Sequence, residues 1–91
     1  MWYLYMVRCS DSSLYTGIAT DVARRFAEHA AQGKQAAKYL RGKGPLALVF
    51  AVQAGSRAEA SRLEAKVKRL AKVDKEELIK GVESLASLGL M

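Results

Sequence analysis

The chain has 91 residues, 51% of them hydrophobic, with 15 Lys and Arg against 9 Asp and Glu and a formal net charge of +6. That is enough for one core in one domain, and the basic excess points to a polyanionic partner, nucleic acid first. One cysteine and one histidine exclude an internal disulfide and any zinc site that draws several Cys or His from one chain.

No apolar run approaches the roughly 18 to 20 residues that cross a bilayer, so no membrane partner is expected. Met1 to Arg8 is too short and too strand-like for a signal peptide. A reducing, cytoplasmic setting is therefore expected.

Trp2 to Val7 is aromatic and β-favouring. Both of its alternating sets are apolar, which predicts a strand covered on both faces. Ser10 to Ser13 forms a turn, and Leu14 to Ile18 is the second strand of a hairpin. Gly17 allows a bulge or a close backbone approach. Thr20 or Asp21 N-caps a helix from about Asp21 to Gln32, and Gly33 ends it. Val22, Phe26 and Ala30, joined by Ala23 and Ala27, form its apolar stripe. Arg25 and His29 sit at the edge of that stripe.

The next stretch carries Lys34, Lys38, Arg41 and Lys43, with Tyr39 among them, and Ala36 to Leu40 suits a short helix. Gly42, Gly44 and Pro45 break the chain. Leu46 to Val52 is nearly continuous apolar, which predicts a third, buried strand. Ser56 and Glu59 form a capping box. The helix it opens buries Ala60, Leu63, Val67, Leu70 and Ala71, with Glu64 beside that face. Asp74 and Glu77 repeat the pattern and open a last helix through Lys80, stopped by Gly81. Val82 to Met91 reads as a frayed tail. The expected fold is α+β, a three-stranded, largely antiparallel sheet flanked by helices in the order β-β-α-(α)-β-α-α. Residues 1–81 form the domain and 82–91 the tail.

Tyr3-Leu4-Tyr5, then Tyr15-Thr16-Gly17, then Arg25 ten residues after Tyr15, His29 four later and Glu64 occur in that order. Each falls on the expected strand or helix. In this the chain resembles the GIY-YIG nuclease family, above all its minimal, stand-alone bacterial members, from Trp2 to about Gly81. The segment Ala37 to Gly42 is similar to those members too. Tyr3 stands where the family name has its first glycine, and Thr16 where it has its second isoleucine. Several members carry a late asparagine, and this chain has none.

The resemblance implies a metal-dependent endonuclease that hydrolyses phosphodiester bonds, in DNA foremost, with a role in repair or recombination. Its catalytic residues would be Tyr5, Tyr15, Arg25, His29 and Glu64. Glu64 would anchor one Mg²⁺ or Mn²⁺, a hard cation that needs only one or two carboxylates. The plain alternative is a helical pair with Lys68. Arg25 would clamp the phosphate. Arg24, pointing further round and able to pair with Glu28, is its internal control. Tyr5 would act as base or relay and Tyr15 as an orienting hydrogen-bond donor. A phenol, with a pKa near 10, needs a nearby cation for that work.

His29 would be a second base or a phosphate donor, or else structural. Lys34, Lys38, Arg41 and Lys43 would line the approach as phosphate contacts. Tyr39 stacks on a base or packs in the core. A joint role for the two tyrosines requires one sheet face, hence paired residue numbers with an even sum, or a bulge. Two rival readings stand beside the nuclease. One is a nucleic-acid-binding module with weak or no catalysis. The other is a subunit that needs a protein partner, docked through Val82 to Met91.

Overall fold

A computed structural model describes all of residues 1–91. Strands β1 (Trp2–Arg8), β2 (Leu14–Ala19) and β3 (Ala47–Gly55) form one antiparallel sheet in the order β2-β1-β3. Helices α1 (Val22–Ala30), α2 (Arg57–Lys68) and α3 (Lys72–Lys80) flank it, and a short 3₁₀ turn covers Lys38–Leu40. The α+β architecture agrees with the expectation from the sequence.

β1 is the central strand, and its alternation feeds two cores. Leu4 and Met6 pack with Ala60, Leu63, Val67 and Leu78 of the two C-terminal helices. Tyr5 and Val7 point the other way and pack with Cys9, Ala19 and Leu40, against Tyr15, Val22 and Phe26. Both faces are covered, as two apolar sets on one strand require.

β3 departs from expectation. It is an edge strand, and of its residues only Ala54 is buried. The hairpin partner β2 already holds one side of β1, so β3 gains a single neighbour. Its apolar run is used only in part, through Val49, Phe50 and Val52.

α1 also differs. It stops at Ala30, and Gln32, not Gly33, takes the left-handed conformation, with φ 58°. That backbone is uncommon for a residue with a side chain. Here the Gln32 amide donates to the carbonyls of His29 and Leu40 and accepts from the Gly42 N–H. Asp21 is the N-cap, accepting from the Arg24 N–H at 3.0 Å. The inward face is Val22, Arg25, Phe26 and His29, while Ala23, Ala27 and Ala30 are exposed. Alanines offer little area to bury, so the larger side chains set the rotation of the helix.

The capping box of Ser56 and Glu59 forms as expected. The second one does not. α3 starts at Lys72 with Ala71 as an N-cap that makes no side-chain bond, and Asp74 lies inside the first turn. There its charge still favours the helix N-terminus. Arg8 at the end of β1 grips Glu76 of α3 with two bonds of 2.6 and 2.8 Å.

The expected frayed tail is instead folded onto the domain. Leu85 is buried in the first core, and Leu88 and Leu90 pack against it. Three of its leucines thus face this chain's own core, while Val82 and Met91 stay exposed. Leu85→Ala should therefore lower the unfolding free energy by about 2–5 kcal/mol, read from urea denaturation. An unchanged midpoint would mean that the tail contributes nothing.

Candidate active site

The β1–β2 register pairs Tyr5 with Gly17 and Val7 with Tyr15, with no bulge between these strands. The sums are even, so Tyr5 and Tyr15 share a face, and their ring centroids lie 6.4 Å apart. Gly17 is used for close approach. A Cβ there would lie 2.6 Å from Tyr5 Oη, 2.7 Å from Tyr5 Cζ and 3.1 Å from Tyr15 Cε2. The Tyr5 ring lies across the one position of β2 that lacks a side chain.

His29, fully buried, is the one residue of α1 with no exposure. Its Nε2 is 2.8 Å from Tyr5 Oη, and its Nδ1 accepts from the Ala37 N–H at 3.2 Å. A backbone N–H can only donate, so Nδ1 carries the lone pair. The neutral ring then has its proton on Nε2 and donates it to Tyr5. Burial holds the imidazole pKa below its ordinary value, and the Arg25 charge adds to this against an opposing pull from Glu28. Both ring nitrogens are engaged, Nε2 by Tyr5 and Nδ1 by the Ala37 amide. Tyr15 packs edge-on to the same ring, with centroids 5.5 Å apart.

The Tyr5 hydroxyl accepts from His29 and keeps its own proton to give. Its pKa is pushed up to about 12, first by burial and then by Tyr15, with Arg25 opposing the rise and Glu64 adding to it. Arg25, from α1, and Glu64, from α2, thus pull this pKa in opposite directions. Arg25 Nη1 donates to Glu28 at 3.0 Å and to the Gln35 carbonyl at 2.6 Å. Arg24 stands 3.7 Å from Glu28 with its side chain 78% exposed, against 33% for Arg25. Glu64 is part-buried and lies 3.5 Å from Lys68.

The basic stretch after α1 is braced rather than free. Arg41 Nη2 donates to the Lys34 carbonyl, and Lys43 stands 3.8 Å from Asp11 with its Nζ 3.5 Å from the Tyr39 ring centroid. Tyr39 stacks on Tyr15 at 6.0 Å, so its ring is engaged by Tyr15 and Lys43 although it is 46% exposed. Lys34 and Lys38 are exposed. The sequence reading did not single out Lys75, which lines a groove with Lys68, Tyr15 and Tyr39. Its signal would have been helical spacing from Lys68 across the break before α3, and Leu70 to Ala71 hides that phase.

No three His, Cys, Asp or Glu side chains come together. A site built from several such side chains is therefore absent. A hard divalent cation that keeps most of its waters fits better, since one carboxylate suffices for it.

A family model described as the GIY-YIG catalytic domain matches residues 1–77. A UPF0213 protein of Cronobacter sakazakii is 59% identical over 80 residues, covering 88% of this chain and 82% of that protein. The UPF0213 protein YhbQ of Salmonella arizonae is 52% identical over 87 residues, covering 96% and 85%. The solution NMR structure of the UPF0213 protein BH0048 from Bacillus halodurans is similar, with a TM-score of 0.54 and 44% identity over 88% of this chain and 84% of that one.

Two outcomes follow from the geometry. Gly17→Ala should cost about 1–3 kcal/mol by overpacking, with Tyr5→Phe in the same chain recovering only part, because Cζ is crowded as well as the hydroxyl. Full recovery in thermal denaturation would contradict the packing described. The lowered His29 pKa means that the unfolded chain takes up this proton first. The stabilising effect is complete above about pH 6.5 and is lost as pH falls below it. Subtracting the stability profile of His29→Gln from that of the wild type should leave a slope only on the acid side of that value.

Proposed function

The chain belongs to the family of GIY-YIG catalytic domains, a nuclease family, and from that premise we propose that it hydrolyses phosphodiester bonds in DNA with a divalent cation, Mg²⁺ or Mn²⁺, at Glu64. The observation that carries this reading is the convergence of Tyr5, Tyr15 and His29 on one sheet face, with Arg25 one turn before His29 on the same helix. A role in DNA repair or recombination and a cytoplasmic setting belong to the same proposal and are supported by family membership alone.

Tyr5 takes the proton of the attacking water. With its pKa at about 12, only about one molecule in 10⁵ carries the phenolate at pH 7. That phenolate is a strong base, and the His29 Nε2–H and the Arg25 charge both favour it. Tyr15, whose hydroxyl is not bound to His29, orients the water. Arg25 leaves Glu28 and grips a nonbridging oxygen with its planar fork. When bound, the cation neutralises charge on the phosphate and the leaving oxygen, and Glu64 is the residue that would hold it. Lys34, Lys38 and Arg41 contact flanking phosphates, and Tyr39 with Lys43 holds Tyr15 in place.

One feature favours a binding module without catalysis. Glu64 is paired with Lys68 and Arg25 with Glu28, so both key groups already have partners. Plasmid nicking with and without Mg²⁺ decides between the two readings. Arg25→Ala and Glu64→Gln should each reduce nicking by about 10²-fold or more, whereas Arg24→Ala should stay within about twofold. Undiminished cleavage by the Glu64 variant would remove the metal role. If Tyr5 is the base, kcat/KM should climb by about tenfold per pH unit between pH 6 and 9 without levelling, because that profile reports the free enzyme. A plateau near neutrality would assign the proton to another group.

A further inference from the structure

The groove beside Tyr15 has no role in the reaction as described. It measures about 310 Å³ and is lined by Leu14, Tyr15, Thr16, Tyr39, Lys68 and Lys75. β2 is an edge strand, and alternation along it sends Tyr15 to one face of the sheet and Leu14 and Thr16 to the other. The groove therefore crosses the open edge of the sheet. Tyr39 walls it on one side, and the end of α2 and the start of α3 wall it on the other.

We propose that this groove is a second phosphate subsite, in which Lys68 and Lys75 hold the backbone phosphate of the nucleotide next to the one being cut. The proposal rests on the nuclease reading for its substrate and adds two residues to it. Three observations carry it. First, Tyr15 belongs both to this groove and to the ring cluster with Tyr5 and His29, so a strand at the candidate site runs on into the groove. Second, its cations are available. The Lys75 ammonium makes no ion pair or hydrogen bond, while the Lys68 ammonium has only the 3.5 Å contact with Glu64 and a side chain 53% exposed. Lys43, by contrast, is engaged by Tyr39 and Asp11. Third, the groove contains two ammonium groups and no carboxylate, and its volume is at the small end of ligand sites, suited to one nucleotide unit. An ammonium is a point charge, which suits a phosphate held without fixed orientation.

Equilibrium binding of a fluorescently labelled oligonucleotide, measured in EDTA over a series of salt concentrations, tests this without requiring cleavage. Each backbone contact removed should lower the slope of log K against log salt by about 0.7–0.9. Lys68→Gln and Lys75→Gln should each do so, and the double variant should lose about twice as much. Lys66→Gln makes the same change in net charge on the opposite flank of α2, beside Ala54 and Leu90, and should leave the slope close to that of the wild type. Slopes for the Lys68 and Lys75 variants no lower than that of Lys66→Gln would overturn the subsite and leave the nuclease reading intact. Tight binding with the expected slopes but no nicking in Mg²⁺ would support the subsite and overturn catalysis. Failure of the wild type to bind the oligonucleotide at all would overturn both.

Discussion

The hydrogen bond from the Ala37 amide to His29 Nδ1 constrains everything else in the candidate site. It fixes which nitrogen of the ring holds the proton, and so fixes the donor that Tyr5 meets. The segment that supplies this amide is itself pinned. Arg25 binds the Gln35 carbonyl, Arg41 the Lys34 carbonyl, and Gln32 both the Leu40 carbonyl and the Gly42 amide. A stretch that looks like a solvated charge run is therefore the brace that sets a buried histidine. No buried side-chain nitrogen or oxygen lacks a partner, which is the condition under which a buried polar network holds one arrangement.

β1 joins this network to the rest of the fold. Leu4 and Met6 anchor the strand in the larger core, under α2, α3 and the C-terminal turns. Tyr5, one residue along, then has no freedom to shift relative to β2. The absent side chain of Gly17 gives its ring the room to lie flat on the neighbouring strand. Stability and site geometry are thus carried by the two faces of a single strand. Loosening the tail or the Arg8–Glu76 grip would be felt at Tyr5 through β1 itself.

Much of this was legible in the residues. Two apolar sets on Trp2 to Val7 announced a strand covered on both faces, and the condition that Tyr5 and Tyr15 share a face could be stated from the hairpin, although its register came from the structure. Ser56 with Glu59 marked the start of α2. The failures have physical causes. Leu46 to Val52 reads as buried because hydrophobicity does not reveal how many neighbours a strand acquires. Asp74 reads as a cap because the spacing to Glu77 is right, but the chain re-enters the helix three residues earlier, after Ala71. The stripe read on α1 keeps Val22 and Phe26 but loses Ala23, Ala27 and Ala30, because the larger Arg25 and His29 turn the helix toward themselves. The tautomer of His29 was beyond any sequence reading, since it depends on an amide eight residues away that folds back over the ring. The direct pairing of Lys68 with Glu64 followed from helical spacing, whereas Lys75 lies beyond a break that scrambles the phase.

The charges around the site show how a basic surface keeps its order before a polyanion arrives. Arg25 is held by Glu28 at 3.0 Å and Lys68 by Glu64 at 3.5 Å, and all four side chains remain partly in contact with water. Pairs of this kind are worth only about 0–1 kcal/mol each. That is enough to bias a long side chain toward one orientation and too little to resist a phosphate, which offers more charge and several acceptor oxygens. On the proposed function the carboxylates would hold the cations in readiness, and exchanging Glu28 for phosphate at Arg25 would cost little. At Lys68 such an exchange would have a second consequence, because a lysine drawn away to a backbone phosphate would leave the Glu64 carboxylate without a partner. A divalent cation is the ligand such a carboxylate would then favour. Strand binding and cation binding at Glu64 should on this account reinforce each other, with Lys68 the residue through which one assists the other.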